Sequence, residues 1–336
     1  MPQLLDGKWV RDQILAELKP RVEALKARHR PPGLAVLLVG HNPASEIYVR
    51  NKVKASEELG ILSEKLTPPA TLTTQELLAA VQSLNQRPDI DAILVQMPLP
   101  PQVDSRAVLL AIDPAKDVDG FHPYNVGSLV AGHPGPRACT PAGILEMLKR
   151  YDIPVAGKKA VVVGRSDIVG KPMAMMLLHS HATVTICHSK TRDLAWECRQ
   201  ADILVAAIGK AALLGRDSIK PGAVVVDVGM NRLATRAEAE AVFGAGHTRM
   251  AEFDRKGSLL VGDVHPLELE AASAFTPVPG GVGPLTIAML MANTVALAEN
   301  HAASKELART TEPSRPPAGN AEFPGGIVGR AGPVRA

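Results

Sequence analysis

The sequence predicts an α/β protein of two domains around a cleft, the second a Rossmann-like nucleotide domain with a mainly parallel sheet. Three observations predict it. Short apolar runs of strand length alternate with amphipathic helical stretches, the pattern of layered α/β units. At 336 residues the chain is long enough for two domains of ordinary size. Its composition, 46% apolar but only 3% aromatic, suits aliphatic interiors of helices packed on parallel strands.

The elements follow in order. Residues 34–39 read as a buried strand, and residues 45–59 as a helix after Asn42-Pro43. A second strand spans 92–97 and a short helix 103–112. Pro134-Gly135-Pro136 then opens a new block, with strands at 160–163, 183–187, 203–207 and 223–228. Helices at about 171–179 and 194–199 separate the first three of these. Residues 233–257 are rich in Ala, Glu, Arg and Gly, show no clear strand and read as a surface excursion. A closing helix, 284 to about 299, follows the nucleotide block and is expected to pack back on the first domain. The expected division is 1–135 plus 284–300 for a catalytic domain and 136–283 for a nucleotide domain. The Pro-, Gly-, Ala- and Arg-rich remainder, from about 301 to 336, is expected to be disordered, because it buries too little apolar surface to offset ordering entropy.

Bulk properties exclude several classes. A net charge of +3 without any Lys/Arg-rich run argues against nucleic acid. Cys139, Cys187 and Cys198 make an odd count without a C-x-x-C pair, which suits a reducing compartment. No signal-peptide pattern opens the chain and no apolar run reaches membrane length, so a soluble cytoplasmic protein is expected. No metal is expected.

Residues 160–163 run into Gly164-Arg165-Ser166-Asp167-Ile168-Val169-Gly170-Lys171-Pro172 and then a helix. A glycine turn between strand and helix lets backbone N–H groups and the helix dipole hold a pyrophosphate. The spacing is G-x-S-x-x-x-G rather than G-x-G-x-x-G, so the generic fingerprint is half met, and an ordinary tight turn is the competing reading. The following strand ends in His188-Ser189-Lys190-Thr191, without the acid that usually selects NAD. Cationic and hydroxyl groups there, with Arg165, suit a 2′-phosphate and favour NADP.

Four further segments point to chemistry. Tyr48 and Lys52 stand at i and i+4 on one helix face. Gln96 interrupts the apolar run Ile93-Leu94-Val95-Gln96-Met97, and a polar group at a buried strand end needs a partner. In Lys116-Asp117-Val118-Asp119-Gly120-Phe121-His122-Pro123, two acids alternate beside a turn glycine, where a plain Asx-turn is the simpler account. In Thr276-Pro277-Val278-Pro279-Gly280-Gly281-Val282-Gly283-Pro284-Leu285-Thr286, prolines stiffen a loop whose glycines leave bare backbone.

The motifs Y-V-x-x-K-x-K, V-Q-x-P-L-P, K-D-V-D-G-F-H-P, G-R-S-x-I-V-G-x-P and T-P-V-P-G-G-V-G-P-x-T, in this order, resemble the bifunctional methylenetetrahydrofolate dehydrogenase/methenyltetrahydrofolate cyclohydrolase family over about residues 5–299. The resemblance implies oxidation of methylene-tetrahydrofolate by NADP+, hydrolysis of the methenyl product to formyl-tetrahydrofolate, and a homodimer. It implies that Lys52 is the central catalytic group, that Gln96 orients it, that Tyr48 stacks on the folate's aminobenzoate and that Asp119 pairs with the pterin's amino-pyrimidine edge. Val95 and Met97, flanking Gln96, and Pro279, Gly280, Gly281, Gly283 and Pro284 are implied on the substrate side. Gly164, Arg165, Ser166, Ser189 and Met230 match the cofactor contacts. Two departures stand out: the stretch between Leu233 and Val261 is longer than in compact members, and Met230 replaces a commoner aliphatic.

The chemistry agrees with these residue types. Hydride transfer between two flat ligands needs alignment, and hydrolysis of a cationic methenyl carbon needs an activated water, which a lysine beside a polar orienter can supply. A shikimate-dehydrogenase-type enzyme shares the layout and a Lys/Asp pairing but does not predict the proline-glycine run or Tyr48 one turn before the lysine. A cofactor sensor without catalysis is disfavoured by the presence of Lys52, Gln96 and Asp119 together.

Overall fold

The strand Gly33–Leu37 is buried at all five positions, as a parallel strand covered on both faces must be. In the computed structural model, which describes residues 2–311, it is the centre of a three-stranded parallel sheet between Leu62–Leu66 and Ala92–Val95. Alternation along the chain sorts its neighbours. Leu34, Val36 and Leu38 join the core formed with the helices Gly7–Arg28, Pro43–Leu59 and Gly283–Thr311. Ala35, Leu37 and Val39 face the helices Thr74–Gln86 and Ser105–Ala111. Thr73 and Glu76 form a capping box that starts the helix Thr74–Gln86, and Lys116 Nζ donates to the carbonyls of Leu84 and Arg87 at its other end.

The second sheet is six-stranded, with all pairings parallel. Its order is Gln3–Leu4, Ala274–Phe275, Val224–Asp227, Ile203–Ala206, Lys159–Val163 and Thr183–Cys187. From the strand Lys159–Val163 the chain moves first to one side, to Thr183–Cys187, and then to the other, to Ile203–Ala206. The crevice at the C-terminal ends of Lys159–Val163 and Ile203–Ala206 is therefore a topological switch point, where ligands of open α/β sheets collect.

The structure corrects the expected organisation in three places. Residues 3–4, assigned to the first domain, form the edge strand of the second sheet, with Gln3 N donating to Ser273 O and Leu5 N to Phe275 O, each at 2.8 Å. A two-residue strand has no periodicity to read. The closing helix runs on to Thr311, because Ala302 is partly buried against the core and Lys305, Glu306 and Leu307 are good helix formers. The expected disorder is thereby overturned for 302–311, and the rest of that segment lies outside the described residues. The excursion is also more regular than expected. Helices Arg236–Phe243 and Arg249–Lys256 are bracketed by an antiparallel pair, Asn231–Leu233 with Leu259–Val261, and share a small core of Leu233, Ala239, Phe243, Met250, Leu259 and Val261. The Thr235–Glu238 capping box is the sequence signal for the first of those helices. Helices Gly7–Arg28, Pro123–Ala131 and Cys139–Arg150 are further elements beyond the expected set.

The closing helix lies along Gly7–Arg28, where Arg21 makes a two-pronged pair with Glu299 at 2.6 and 3.0 Å. The proline-glycine run is seated against the start of Gly7–Arg28. Gly7 N donates to Gly280 O at 3.0 Å, and a Cβ on Gly7 would lie 1.6 Å from Gly281 O. Gly7→Ala should therefore cost about 3 kcal/mol, since backbone rather than a side chain would have to move. Urea denaturation checks this, and an unchanged midpoint would show that the close approach is not required.

Candidate active site

Pro43–Leu59 carries Lys52 into the cleft with only 9% of its surface exposed, and its Nζ donates to Gln96 Oε1 at 3.1 Å. Gln96 stands just past the strand Ala92–Val95. Its own N–H extends the sheet by bonding Leu37 O at 2.9 Å, and its Nε2 donates to Met97 O at 2.7 Å. The amide is thus held with its oxygen toward the lysine. Tyr48, one turn before Lys52, is exposed, and its hydroxyl reaches Met230 Sδ of the second sheet's rim at 3.6 Å. Behind Lys52, Ser56 Oγ donates to the Lys52 carbonyl at 3.0 Å and lies 3.4 Å from Met291 Sδ of the closing helix.

Tyr48, Lys52 and Gln96 line one side of a cavity of about 330 Å³. Val228 and Met230 line it from the second sheet, and Val282, Gly283, Thr286 and Ile287 from the start of the closing helix. Thr140, hydrogen-bonded to Thr286 at 2.9 Å, completes the lining. The cavity therefore has a polar, cationic wall on one side and an aliphatic wall on the other, which suits a flat amphipathic ligand.

The two acids of the Asp–Gly turn have different lives. Asp117 is buried and structural, accepting from His122 N at 2.8 Å and Asn125 Nδ2 at 2.9 Å. Gly120 closes the turn at φ +68°. Asp119 accepts no hydrogen bond from the described residues; burial pushes its carboxyl up to about 6, with Lys52 opposing and Asp117 adding. Burial also pushes the Cys139 thiol well up, with Asp119 adding and Lys52 opposing, so these three groups share one electrostatic neighbourhood. With no donor to it among the described residues, this carboxylate beside a buried lysine keeps its acceptor capacity free.

On the other side, Gly164 has φ +134°, and a Cβ there would lie 2.1 Å from Ala207 O, so the turn admits only glycine. A Cβ on Gly170 would lie 2.2 Å from Gly164 O. Ser166 Oγ accepts from the N–H groups of Val169 and Gly170 at 3.2 and 3.3 Å, capping the start of the helix Gly170–His179. Arg165 and Ser189 are exposed at the C-terminal ends of adjacent strands. In the same loop, His188 Nδ1 accepts from Lys190 N at 3.1 Å, and Thr191 Oγ1 from His188 N at 2.8 Å. The bare backbone at Gly164, at the switch point, fits the pyrophosphate of a dinucleotide, and the cationic loop fits an additional phosphate.

The remaining expected site residues are divided. Met97 is 36% exposed, whereas Val95 packs with Leu77 and Val81 in the core beneath the sheet and can offer only backbone. Gly283 lines the cavity. Pro279 and Gly280 are exposed outside that lining, and Gly281 is buried, where a Cβ would lie 2.6 Å from Thr276 Cβ. Pro284 is half-buried in the first turn of the closing helix. Thr140 and Val228 are cavity residues that sequence reasoning missed. Neither stands in a polar pattern, and only the folding of two distant segments onto the cleft brings them there.

The sequence model of the tetrahydrofolate dehydrogenase/cyclohydrolase catalytic domain matches residues 5–119, and that of the NAD(P)-binding domain of the same family matches residues 138–302. A curated relative named bifunctional protein FolD, from Solibacter usitatus, is 66% identical over 303 residues, 90% of this chain and 99% of its own. The protein of that name from Koribacter versatilis is 62% identical over 296 residues, 88% of this chain and 96% of its own. Among solved structures, the bifunctional methylenetetrahydrofolate dehydrogenase/cyclohydrolase of Campylobacter jejuni is 45% identical with a TM-score of 0.81, covering 89% of this chain and 99% of that one. The Trypanosoma brucei enzyme, solved with NADP and an inhibitor, is 36% identical with a TM-score of 0.80, covering 90% and 98%.

Proposed function

Because the chain belongs to the tetrahydrofolate dehydrogenase/cyclohydrolase family, we propose that its cleft holds a one-carbon folate against a nicotinamide dinucleotide and that Lys52 serves the second of two successive reactions. The enzyme oxidises 5,10-methylenetetrahydrofolate to the 5,10-methenyl form with NADP+ and hydrolyses that product to 10-formyltetrahydrofolate. The observation that carries the site assignment is the Lys52–Gln96 pair, 3.1 Å apart, in a cavity whose far wall comes from the second sheet.

Gly164, Arg165, Ser166, Ser189 and Met230 would hold the dinucleotide. Bound there, the dinucleotide would supply the hydride acceptor for oxidation of the one-carbon bridge. Tyr48 offers its exposed ring to the aminobenzoate, and Asp119 accepts the paired N–H donors of the pterin's amino-pyrimidine edge, which gives the carboxylate the partners it lacks among the described residues. Pterin and aminobenzoate so anchored leave the one-carbon bridge near Lys52. In the hydrolytic step the neutral Lys52 amine orients the attacking water and accepts its proton to become the ammonium, while Gln96 keeps Nζ from swinging out of the cavity. The backbone of residues 95–97 and the run 279–284 complete the substrate side. Lys52 assists the first step by orienting the substrate.

Incubation of the purified protein with methylenetetrahydrofolate and NADP+, following methenyl absorbance, tests both halves. Absorbance should rise and then decay. Absence of any rise would sink the whole reading, and a rise without decay would remove the hydrolytic half.

Arg165 is exposed beside the turn, so Arg165→Ala should raise the KM for NADP+ about tenfold while leaving that for NAD+ nearly unchanged. Equal changes for the two cofactors would remove Arg165 from the 2′-phosphate. A homodimer is part of the proposal. The open edge strand Thr183–Cys187, with Ile186 38% exposed, is a surface that a second copy could cover, and sedimentation velocity checks the state. A cytoplasmic location is likewise proposed, in keeping with three free thiols.

A further inference from the structure

Outside the reaction cavity, Asp263 is fully buried with five hydrogen bonds to its carboxylate. Oδ2 accepts from the N–H groups of Ile208 at 2.5 Å and Gly209 at 3.0 Å. Oδ1 accepts from Gly209 N at 3.1 Å, Lys210 N at 2.9 Å and Asn231 Nδ2 at 2.9 Å. Three successive backbone N–H groups converging on one anion form a nest, and here the anion is supplied by the chain.

The segment so held is the far bank of the switch-point crevice. Ala207 N donates to Val163 O at 2.8 Å, and Ala207 O occupies the space that a Cβ on Gly164 would need. Asn231, the other partner, directly follows Met230 in the cavity wall. Beside this nest lies Asp227, whose carboxylate accepts from Gly229 N, Asp263 N and Val264 N at 2.9, 2.9 and 2.8 Å. Burial pushes the Asp227 carboxyl up to about 7, against those three donors and with Asp263's charge adding. The backbone of Asp227 is tied in turn to Thr276 Oγ1 at 2.8 Å, at the root of the proline-glycine run. Neither acid opens into the reaction cavity, so catalysis does not account for their burial.

We propose that Asp263 is a positioning residue for the dinucleotide: by holding residues 208–210 and Asn231 it sets the shape of the crevice wall opposite Gly164, and through it the affinity for NADP+. The proposal rests on the reading that the cofactor lies on the 164–170 turn. Its consequence is a split between the two activities, because hydrolysis of the methenyl substrate consumes no dinucleotide whereas oxidation does.

Asp263→Asn keeps the size of the side chain but turns an NH2 donor toward backbone N–H groups. It should raise the Kd for NADP+, measured by titration calorimetry, and the KM for NADP+ about tenfold, while kcat for methenyl hydrolysis stays within about twofold. Gly209→Ala is the second variant. Gly209 has φ +75° with no atom within 4 Å of an added Cβ, so the substitution disturbs only the loop backbone. It should move NADP+ affinity in the same direction and decides the matter if Asp263→Asn does not fold. Unchanged Kd in the folded variants would overturn the proposal. So would a parallel loss of both activities with a lowered melting temperature, which marks a merely structural role. Failure of the wild-type protein to bind NADP+ would instead sink the reading on which the proposal rests.

Discussion

Lys52→Met should lower methenyl hydrolysis about a thousandfold, within the range that general acid–base groups contribute, while the protein stays folded. Methionine fills the volume of the lysine stem and removes only the amine. Nζ donates its hydrogen bond to the neutral Gln96 amide, and the loss of its charge is felt at the nearby Asp119 carboxyl, which is pushed further up. Oxidation should fall far less, since Lys52 acts there through substrate orientation. In the coupled assay methenyl absorbance would then rise and persist. Full hydrolytic turnover in this variant would refute the role given to Lys52. Gln96→Ala should move in the same direction by a smaller factor, as removing a group that only orients the amine would.

Asp119→Asn should separate binding from stability. The amide can accept one hydrogen bond from an amino-pyrimidine edge but meets the second donor with its own NH2, so the charge-assisted pair is lost. At about 1.5–3 kcal/mol for each bond to a charged group, the folate KM should rise by roughly two orders of magnitude. Stability of the free enzyme should move the other way. The folded carboxyl, raised from 3.8 to about 6, binds its proton more tightly than the unfolded one. It therefore destabilises the free protein increasingly as pH rises from about 4 to 6, by up to about 3 kcal/mol, and the cost remains above that window. Asn carries no such cost, so at pH 7.5 the variant should melt higher than wild type in the absence of folate. The same protonation predicts that wild-type folate affinity falls as pH drops below about 6. A pH-independent KM between 5 and 8 would show that the ionised carboxylate does not hold the substrate.

How far these residues were legible varies with the range of the interaction behind them. The strands Lys159–Val163, Ile203–Ala206 and Val224–Asp227 were expected to within a residue at each end, because buried parallel strands show as unbroken apolar runs, and the partly exposed edge strand Thr183–Cys187 with its observed bounds, because it is rich in β-branched residues. The turn at Gly164 was legible because strand, glycine and helix are consecutive. Gly7 gave no signal, since its need for a hydrogen side chain arises from Gly281, far along the chain. The excursion's short strands and the two-residue edge strand were illegible for want of length.

Motif order and local chemistry were enough to indicate the family, the cofactor class and the candidates Tyr48, Lys52, Gln96 and Asp119, because each motif is a contiguous run whose residue types answer a chemical need. They could not say which glycines face a ligand. Gly283 lines the cavity, while Gly281 is spent on backbone packing beneath Gly7, and the two stand only two positions apart in one run. The resemblance chose Asp119 over Asp117, but residue type alone did not show that Asp117 is bound within its own turn while Asp119 accepts no hydrogen bond from the described residues. Those distinctions depend on solvation and on neighbours distant in sequence, and they exist only once the two sheets and the closing helix have come together.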